Sequence, residues 1–252
     1  MEIHAQRVGV IGPHGPMLRP TTLRIAPGEL VLVAGHPGTG HTALALLLSG
    51  RMRPTTGSVL LDGHEDLAAL RKRVALVDAA EVNEPEAALT LSTIVGEELA
   101  MVGQRSGRKA VADWLTERGA DEHANTRFEF VPPDVRCAVL LELAAARPGV
   151  EALVMDSPDR YHGTPEAWLA LAREHVTPER SVVALCTTAT ARLLDVPAAR
   201  LGQDNPREDS SPEASSPEAS SPEDGSPADS SPAANSAPDK PTEDNPALET
   251  TS

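Results

Sequence analysis

A glycine-rich octapeptide at residues 35–42 constrains the fold of this chain more than any other feature. It reads Gly-His-Pro-Gly-Thr-Gly-His-Thr, follows the apolar run 30–34 and precedes the apolar run 43–48. A strand, a glycine-rich loop and a helix in this order form a phosphate-binding P-loop, in which backbone N–H groups and the positive end of the helix surround an anion. The motif normally has a lysine before its final Ser or Thr, and here that residue is His41.

The composition changes at Asp204. Residues 204–252 are rich in Ser, Pro, Glu and Asp, repeat Ser-Ser-Pro-Glu-Ala at 210–214 and 215–219, and carry 12 acidic against 2 basic residues, so most of the net charge of −15 arises there. A segment with so little apolar surface cannot offset its chain entropy by burial. We therefore predict one domain over residues 1–203 and a disordered acidic tail over 204–252.

The rest of the composition excludes several classes of protein. The sequence has no apolar run of about 18 residues and no apolar signal core at its N-terminus, so we expect a cytoplasmic protein without a membrane span. Cys137 and Cys186 lie in apolar runs that predict a helix and a strand, which favours two buried thiols over a metal site. The chain also lacks the basic character that binding to nucleic acid requires.

Hydrophobic periodicity predicts an α/β domain. Residues 5–11 and 22–26 alternate as paired strands do, on either side of a turn-rich segment. Other segments predict strands at 58–63, 74–77, 152–156 and 181–188, and helices at 64–72, 91–102, 108–119 and 134–147. Short strands, then helices, then alternating strand and helix are typical of the α/β class.

Several stretches, taken together, resemble the nucleotide-binding domain of ATP-binding cassette (ABC) transporters. The order and spacing of that family's N-terminal third are kept by Pro-Gly-Glu at 27–29, the Walker A loop at 35–42, Gly50, Arg-Pro-Thr-Thr-Gly at 53–57 and Leu-Asp-Gly at 61–63. Weaker similarity extends the resemblance to about residues 5–202. It implies a P-loop NTPase of ABC type, with a mixed sheet core, a short antiparallel β region and a reduced helical subdomain at about 79–147.

The resemblance also implies a site for ATP and Mg²⁺. Thr42 and Asp156 would hold the metal ion, and Asp78, in the place of a family glutamine after the strand 74–77, is a third candidate ligand. His14 stands about where the family has an aromatic residue that stacks on adenine. The remaining nucleotide-binding positions would be Gly35, Pro37, Gly38, Thr39, Gly40, His41, Thr42 and Ala43.

Four of these residues also have a purely structural interpretation. Thr42 could be an ordinary hydroxyl at a helix N-terminus, and Asp156 could cap a turn after its strand. His14 could be a polar turn residue, and His41 could be a solvated histidine beside an empty loop. The sequence alone leaves these alternatives open.

Catalytic positions of the family are substituted in this chain. Ser157 stands in the place of the Walker B glutamate, Thr187 in the place of the switch histidine, and residues 130–134 replace the signature Leu-Ser-Gly-Gly-Gln. Serine is not a general base by itself, and loss of a general base costs on the order of 10²–10⁴ in rate. We therefore assign no catalytic residue and expect hydrolysis to be weak or lost, while Mg-ATP binding persists.

The function that the resemblance implies is that of the ATP-binding subunit of a membrane transporter, peripheral to the inner face of the cell membrane. Its partners would be a transmembrane permease subunit, contacted through residues 79–135, and a second nucleotide-binding domain in a homodimer or heterodimer. The substituted positions also fit an alternative, a pseudo-ATPase with a regulatory or interaction role and no hydrolysis. A small-molecule kinase is a third hypothesis, but residues 27–63 argue against it.

Overall fold

The computed structural model describes residues 1–161 and 163–206. The predicted tail therefore lies outside the described residues, apart from its first three positions. Asp204 and Asn205, which the composition places in that tail, contact the domain: Thr22 Oγ1 donates to Asp204 Oδ1 at 2.5 Å, and Asn205 Nδ2 donates to the Thr22 carbonyl at 2.9 Å. The contacts of the domain thus extend past the boundary drawn from composition.

An antiparallel sheet of three strands lies at the N-terminal end of the chain. Strand β1 (Ile3–Gly12) pairs with β2 (Gly15–Ile25) on one side and with β4 (Thr56–Leu61) on the other. Ile3 faces Ile25 on one neighbour and Leu61 on the other, and all three side chains are buried. The predicted pairing of the first two strands is confirmed, and both strands are longer than their alternation indicated.

A second sheet is parallel and provides the centre of the fold. Its strands are β3 (Leu30–Gly35), β5 (Val74–Val77), β6 (Ala152–Asp156), β7 (Ser181–Thr187) and β8 (Ala199–Arg200), in the order β5-β6-β7-β3-β8. Strands buried on both faces need nearly continuous apolar sequence, which is what these segments show. The carboxyl ends of β3, β6 and β7 consequently meet at one edge.

Helices occupy the connections between these strands. They are α1 (His41–Leu48), α2 (Leu67–Arg73), α3 (Leu91–Met101), α4 (Arg108–Glu117), α5 (Pro133–Ala145), α6 (Pro165–Glu174) and α7 (Thr188–Leu194). Three-residue 3₁₀ turns lie at Asp121–His123, Phe128–Phe130 and Pro158–Arg160. In the described ranges, no helix is both long enough and apolar enough to cross a bilayer.

The helix predictions fail mainly at their ends. Helix α2 begins three residues later than predicted because the Asp66 side chain accepts hydrogen bonds from the backbone N–H groups of Ala68 and Ala69 and so caps it. Helices α3, α4 and α5 lie within one or two residues of the spacing-based prediction. Helix α6 was not predicted as a separate element.

The two faces of the parallel sheet contribute to different hydrophobic clusters. On β3, Leu32 and Ala34 belong to the cluster formed with helices α3 to α6, whereas Val33 belongs to the cluster formed with α1 and the antiparallel sheet. Helix α1 is therefore packed between the two sheets. This packing holds the glycine-rich loop, which precedes α1, at the carboxyl edge of the parallel strands. The predicted α/β architecture with a short antiparallel region is confirmed.

Both cysteines are free thiols. Cys186 is buried on β7 and Cys137 is partly buried on α5, so only the first matches the prediction in full. Burial raises the pKa of each thiol to about 12. Neither thiol is reactive at neutral pH.

Candidate functional site

A cavity of about 520 Å³ opens at the carboxyl edge of the parallel sheet, in front of α1. One wall is the glycine-rich loop and the start of α1. The opposite wall comes from the ends of β6 and β7. The residues on that second wall are Asp156, Ser157, Asp159, Arg160 and Thr187.

The glycines give the loop its shape. Gly38 and Gly40 have φ values of 77° and 107°, which L side chains rarely adopt. A Cβ on Gly40 would also lie 2.5 Å from the backbone oxygen of Met17. The first backbone hydrogen bond of α1 is donated by the N–H group of Leu44 to the Gly40 carbonyl, at 2.9 Å. The N–H groups of residues 41–43 precede that bond and can donate to an anion.

Thr42 and Asp156 are brought together, although they are 114 residues apart. Thr42 Oγ1 donates to Asp156 Oδ2 at 2.6 Å, and Ser157 Oγ donates to Asp156 Oδ1 at 3.0 Å. The Asp156 side chain is almost fully buried. A hydroxyl and a carboxylate are hard oxygen ligands that suit Mg²⁺, which usually takes one or two carboxylates together with phosphate and water oxygens. The donor set therefore fits that ion.

His41 is turned into the protein. Its Nε2 lies 2.9 Å from the carbonyl oxygen of Cys186 on β7, and the residue is 8% exposed. Because a carbonyl only accepts hydrogen bonds, Nε2 is protonated and donates to it. The structure does not place His41 in solvent, and this imidazole N–H is committed to a backbone group rather than to a ligand.

Two other predicted site residues lie elsewhere. His14 is exposed in the turn between β1 and β2, and the cavity is lined from β2 by Met17 instead. Asp78 directly follows β5. From the loop after this strand, Ala80 and not Asp78 lines the P-loop cavity. Asp78 is thus not among the residues that line the P-loop cavity, although it lines a neighbouring cavity together with Asp156.

Asp78 belongs instead to a cluster of charged and aromatic side chains that we call the arginine cluster. Its carboxylate oxygen Oδ1 lies 3.2 Å from Arg136 Nη2 and 2.9 Å from Arg160 Nη2. Arg136 also pairs with Glu84 at 3.2 Å, and the Tyr161 hydroxyl donates to Glu84 at 2.8 Å. The arginine cluster therefore consists of Asp78, Glu84, Arg136, Arg160 and Tyr161.

The ionisation of the arginine cluster follows from its contacts. Partial burial opposes the ionisation of Glu84, but the bond from Tyr161 and the two guanidinium groups outweigh it and hold the pKa of Glu84 below its usual value. Burial and the nearby Asp78 charge raise the pKa of Tyr161. The guanidinium of Arg136 also stacks on the Tyr161 ring at 3.8 Å and the Phe128 ring at 4.2 Å. The cluster thus brings two guanidinium groups together with two carboxylates and two aromatic rings.

Comparison with known sequences points to the same kind of site as the glycine-rich loop, the Thr42 hydroxyl and the Asp156 carboxylate. Residues 18–131 match the family model described as ABC transporter. An ABC transporter ATP-binding/permease protein of Mycobacterium tuberculosis is 29% identical over 145 residues, which are 54% of this chain and 16% of that protein. Over these residues the chain matches an ABC-type nucleotide-binding domain, which we call the ABC domain.

Other relatives of the ABC domain match in the same way. The glycine betaine/proline betaine transport system ATP-binding protein of Escherichia coli is 28% identical over 138 residues, which are 51% of this chain and 34% of that protein. An ATP-dependent lipid A-core flippase of Burkholderia orbicola is 40% identical over 72 residues, 25% of this chain and 12% of that protein. The matched segments thus span about a third or less of these relatives.

Solved structures share the fold of the ABC domain. An ATP-binding subunit of an ABC transporter superposes with a TM-score of 0.56, 17% identity, and coverage of 77% of this chain and 82% of its own. A nucleotide-free ATP-binding cassette from an ABC transporter superposes with the same TM-score, 13% identity, and coverage of 77% and 85%. At such identities the likeness concerns the fold alone, and it confirms the predicted P-loop architecture.

The substituted family positions of the ABC domain have structural roles here. Thr187 caps α7 by accepting the N–H group of Thr190 at 3.1 Å. Asp159 Oδ2 accepts the N–H group of Thr187 at 2.9 Å and the hydroxyl of Thr190 at 2.6 Å. Ser157 has a φ of 52°, an uncommon value for a residue with a side chain. Where the family signature is expected, Pro133 occupies the first position of α5.

Arg160 and Asp159 are site residues that sequence reasoning missed. Both line the P-loop cavity, and Arg160 Nη1 donates to the Asp156 carbonyl at 2.6 Å. The sequence does offer one signal for them: both are charged residues within four positions of Asp156, the candidate metal ligand. Their place in the cavity wall depends on the 3₁₀ turn Pro158–Arg160, which the sequence does not predict.

Proposed function

We propose that this ABC domain binds Mg-ATP as the nucleotide-binding subunit of a membrane transporter and hydrolyses it slowly or not at all. The observation that carries the proposal is the contact between Thr42 Oγ1 and Asp156 Oδ2, at 2.6 Å, beside the helix N-terminus of the P-loop. The N–H groups of residues 41–43 would bind phosphate oxygens. Thr42 and Asp156 would hold Mg²⁺, which neutralises phosphate charge when bound.

We further propose that Arg160 supplies the cation that the P-loop lysine supplies elsewhere. Among the described residues that line the cavity, it is the side chain with a permanent positive charge. Its position is set by the bond to the Asp156 carbonyl and the ion pair with Asp78. A guanidinium has five N–H donors. Nη2 is buried beside Asp78 and Glu84, so a phosphate oxygen would have to accept from Nη1 or Nε. His41 is a weaker candidate because its Nε2–H is already used by Cys186.

Slow hydrolysis follows from the carboxylates that remain. Asp156 has a hydroxyl partner on each oxygen, and Ser157 lacks a basic group. Asp159 has one oxygen bound to Thr187 and Thr190, while its Oδ1 is buried without a hydrogen-bond partner among the described residues. The loss of an oriented base costs about 10²–10⁴ in rate.

The transporter role rests on the family. The relatives are named as components of transport systems or as a flippase. In the region 79–135, which we propose as the surface for a permease, Met101 and Phe130 are large apolar side chains that are 69% and 68% exposed. We propose that the domain of residues 1–203, with its acidic tail, works at the inner face of the membrane as a homodimer or heterodimer.

The pseudo-ATPase alternative is favoured by one further observation. Asp78, in the place of the family's metal-contacting glutamine, is bound to two arginines instead of facing the P-loop cavity. A regulatory protein that uses nucleotide as a structural ligand would tolerate this arrangement. Neighbouring genes distinguish the two: an adjacent permease gene without a second cassette gene favours transport.

The test is calorimetric titration of the full chain with Mg-ATP, together with steady-state release of phosphate. Thr42→Val keeps the side-chain shape but removes the hydroxyl, and we expect it to weaken Mg-ATP binding by about tenfold or more while leaving metal-free ATP binding unchanged. Because Arg160 would contact the terminal phosphate, Arg160→Gln should weaken the binding of ATP more than the binding of ADP. Arg192→Gln, an exposed arginine on α7, is the matched control.

The outcomes separate the parts of the proposal. Saturable binding without turnover, tightened by His41→Lys, supports a cassette that retains nucleotide without hydrolysing it. Turnover at about 1 s⁻¹ or faster would refute slow hydrolysis and make Asp159→Asn the next variant. Absence of binding at millimolar ATP would refute the nucleotide site itself.

A further inference from the structure

Arg160 contacts the arginine cluster and also borders the P-loop cavity. Its side chain lines that cavity and is 20% exposed. Nη1 donates to the Asp156 carbonyl at 2.6 Å, whereas Nη2 lies 2.9 Å from Asp78 Oδ1 and 3.7 Å from Glu84 Oε1. The same guanidinium therefore has carboxylate partners in the cluster and, in the cavity, a place where a phosphate would be bound.

Arg136 holds the carboxylates of the cluster more firmly than Arg160 does. Arg136 Nη2 donates hydrogen bonds to Asp78 Oδ1 and Glu84 Oε1, each at 3.2 Å, and to the Tyr161 hydroxyl. Arg160 Nη2 is close to Asp78 Oδ1, yet it makes no hydrogen bond to a described residue. An ion pair without hydrogen bonds is weaker than one that has them. Of the two guanidinium groups, Arg160 can thus leave the carboxylates at the smaller cost.

Glu84 is the second carboxylate that keeps Arg160 in the cluster. Although burial opposes its ionisation, the Tyr161 hydroxyl and the two arginines hold the pKa of Glu84 below its usual value, so it is a carboxylate at neutral pH. Asp78 and Glu84 together offer one carboxylate for each guanidinium. Without the charge of Glu84, the two arginines share Asp78, and Arg160 is the one without hydrogen bonds there.

We infer that Glu84 is a positioning residue that determines how strongly the site prefers ATP to ADP, because it competes with the terminal phosphate for Arg160. The inference rests on the proposed function, since it requires a nucleotide in the P-loop cavity. When ATP binds, Arg160 donates from Nη1 or Nε to the terminal phosphate and moves away from Glu84, while Arg136 keeps its hydrogen bonds. ADP lacks that phosphate and leaves Arg160 in the cluster, because a ligand shifts an equilibrium only by its different affinities for the two states.

The first experiment measures the affinities for ATP and ADP by calorimetric titration of the full chain in excess Mg²⁺. Glu84→Gln keeps the side-chain shape and removes the competing charge, which is 36% exposed. We expect this variant to bind ATP about fivefold more tightly and to change ADP binding by less than about twofold, as loss of one partly exposed charge allows. A purely structural role of Glu84 would change both affinities alike.

Glu86→Gln is the matched control for the affinity measurement. Glu86 is exposed in the same loop, and its side chain makes no ion pair in the described part of the chain. The substitution removes the same charge at a place where Arg160 is not contacted. It should change neither affinity by more than about twofold.

The second experiment uses Tyr161, the single tyrosine of the chain. The guanidinium carbon of Arg160 lies 4.5 Å from the centre of the Tyr161 ring, so the chemical shifts of the ring depend on where Arg160 is. In protein labelled with ¹³C-tyrosine, saturating Mg-ATP should shift the ring resonances more than saturating Mg-ADP does. In Arg160→Gln the two nucleotides should have the same effect. This measurement needs no variant of Glu84, so it tests the exchange even if Glu84→Gln does not fold.

The outcomes distinguish the role of Glu84 from the proposed function. Absence of saturable Mg-ATP binding to the unchanged chain refutes the proposed function, and the role of Glu84 with it. The role of Glu84 alone fails if Mg-ATP binds but affects Tyr161 only as Mg-ADP does, or if Glu84→Gln alters both affinities by the same factor. It also fails if Glu86→Gln reproduces the effect of Glu84→Gln, since net charge would then be the cause.

Discussion

Changing Asp78 to Asn tests whether the arginine cluster stabilises the fold. Asp78 is the carboxylate shared by Arg136 and Arg160, and its side chain is 13% exposed. Asn has nearly the same shape and tolerates the left-handed φ of 52° at this position, so the variant removes a charge with little change in backbone strain. The two guanidinium groups are then left with Glu84 as their remaining carboxylate in the cluster.

The magnitude follows from burial. Removing one partner of a buried ion pair costs about 3–5 kcal/mol, because the other charge stays in a poorly solvated place. The loss is smaller here, since Glu84 still lies 3.2 Å from Arg136 and 3.7 Å from Arg160, and the Asn oxygen can accept one bond. We expect Asp78→Asn to lower the free energy of unfolding by about 2–3 kcal/mol, or the midpoint temperature by roughly 5–10 °C.

The assay is urea unfolding of the full chain at pH 7, followed by circular dichroism. Asp113→Asn is the matched control, because Asp113 pairs with Lys109 on the exposed surface of α4. We expect this variant to lower the free energy of unfolding by less than about 0.5 kcal/mol. A loss below about 0.5 kcal/mol for Asp78→Asn would refute the reasoning. A changed Mg²⁺ dependence of ATP binding, with stability unaffected, would instead return Asp78 to the list of metal ligands.

Three further predictions concern other parts of the fold. The hydrogen bond from Arg73 holds the pKa of Glu151 below its usual value of 4.5, so the ionised Glu151 stabilises the fold at pH 7. Glu151→Gln should therefore be less stable than the unchanged chain at pH 7, and the difference in stability should shrink as the pH falls below about 4.5. Thermal unfolding of both proteins across this pH range measures the difference. Asp195→Gly should raise the free energy of unfolding by about 0.5–1 kcal/mol, because Asp195 ends α7 with a φ of 49° that favours glycine; an unchanged midpoint temperature would contradict this. Gly40→Ala should destabilise the chain by about 2 kcal/mol or more and abolish ATP binding in the same titration, since its Cβ would lie 2.5 Å from the Met17 oxygen.

Much of the secondary structure could be predicted from local pattern. Strand β5 has the predicted bounds, 74–77, because a short apolar run between polar segments has few other ways to be buried. The glycine-rich loop similarly predicted β3 and α1, since its glycines require a backbone that other residues avoid. Helix α6 shows where prediction from local pattern fails. Its sequence has a Pro in the first turn and an amphipathic face, but these signals did not distinguish the helix from the loops on either side of it.

The candidate site was predictable only in part. Thr42 and Asp156 each stand at the end of an element that the sequence identifies, and parallel strands bring such ends to one edge. Asp78 has the same sequence context, yet its carboxylate pairs with Arg136 and Arg160. Side-chain partners from α5 and from the turn after β6 decided that difference.

What the sequence by itself determined is the order of elements, the phosphate-binding loop and the substitutions at family positions, because these depend on residue type and spacing along the chain. Only the tertiary structure decided which groups are available to a ligand. It turned His41 toward the Cys186 carbonyl and set Arg160 on the wall of the P-loop cavity. The physical reason is that hydrogen bonds and ion pairs between distant segments compete for the same donors, and their outcome depends on distances that no local pattern contains.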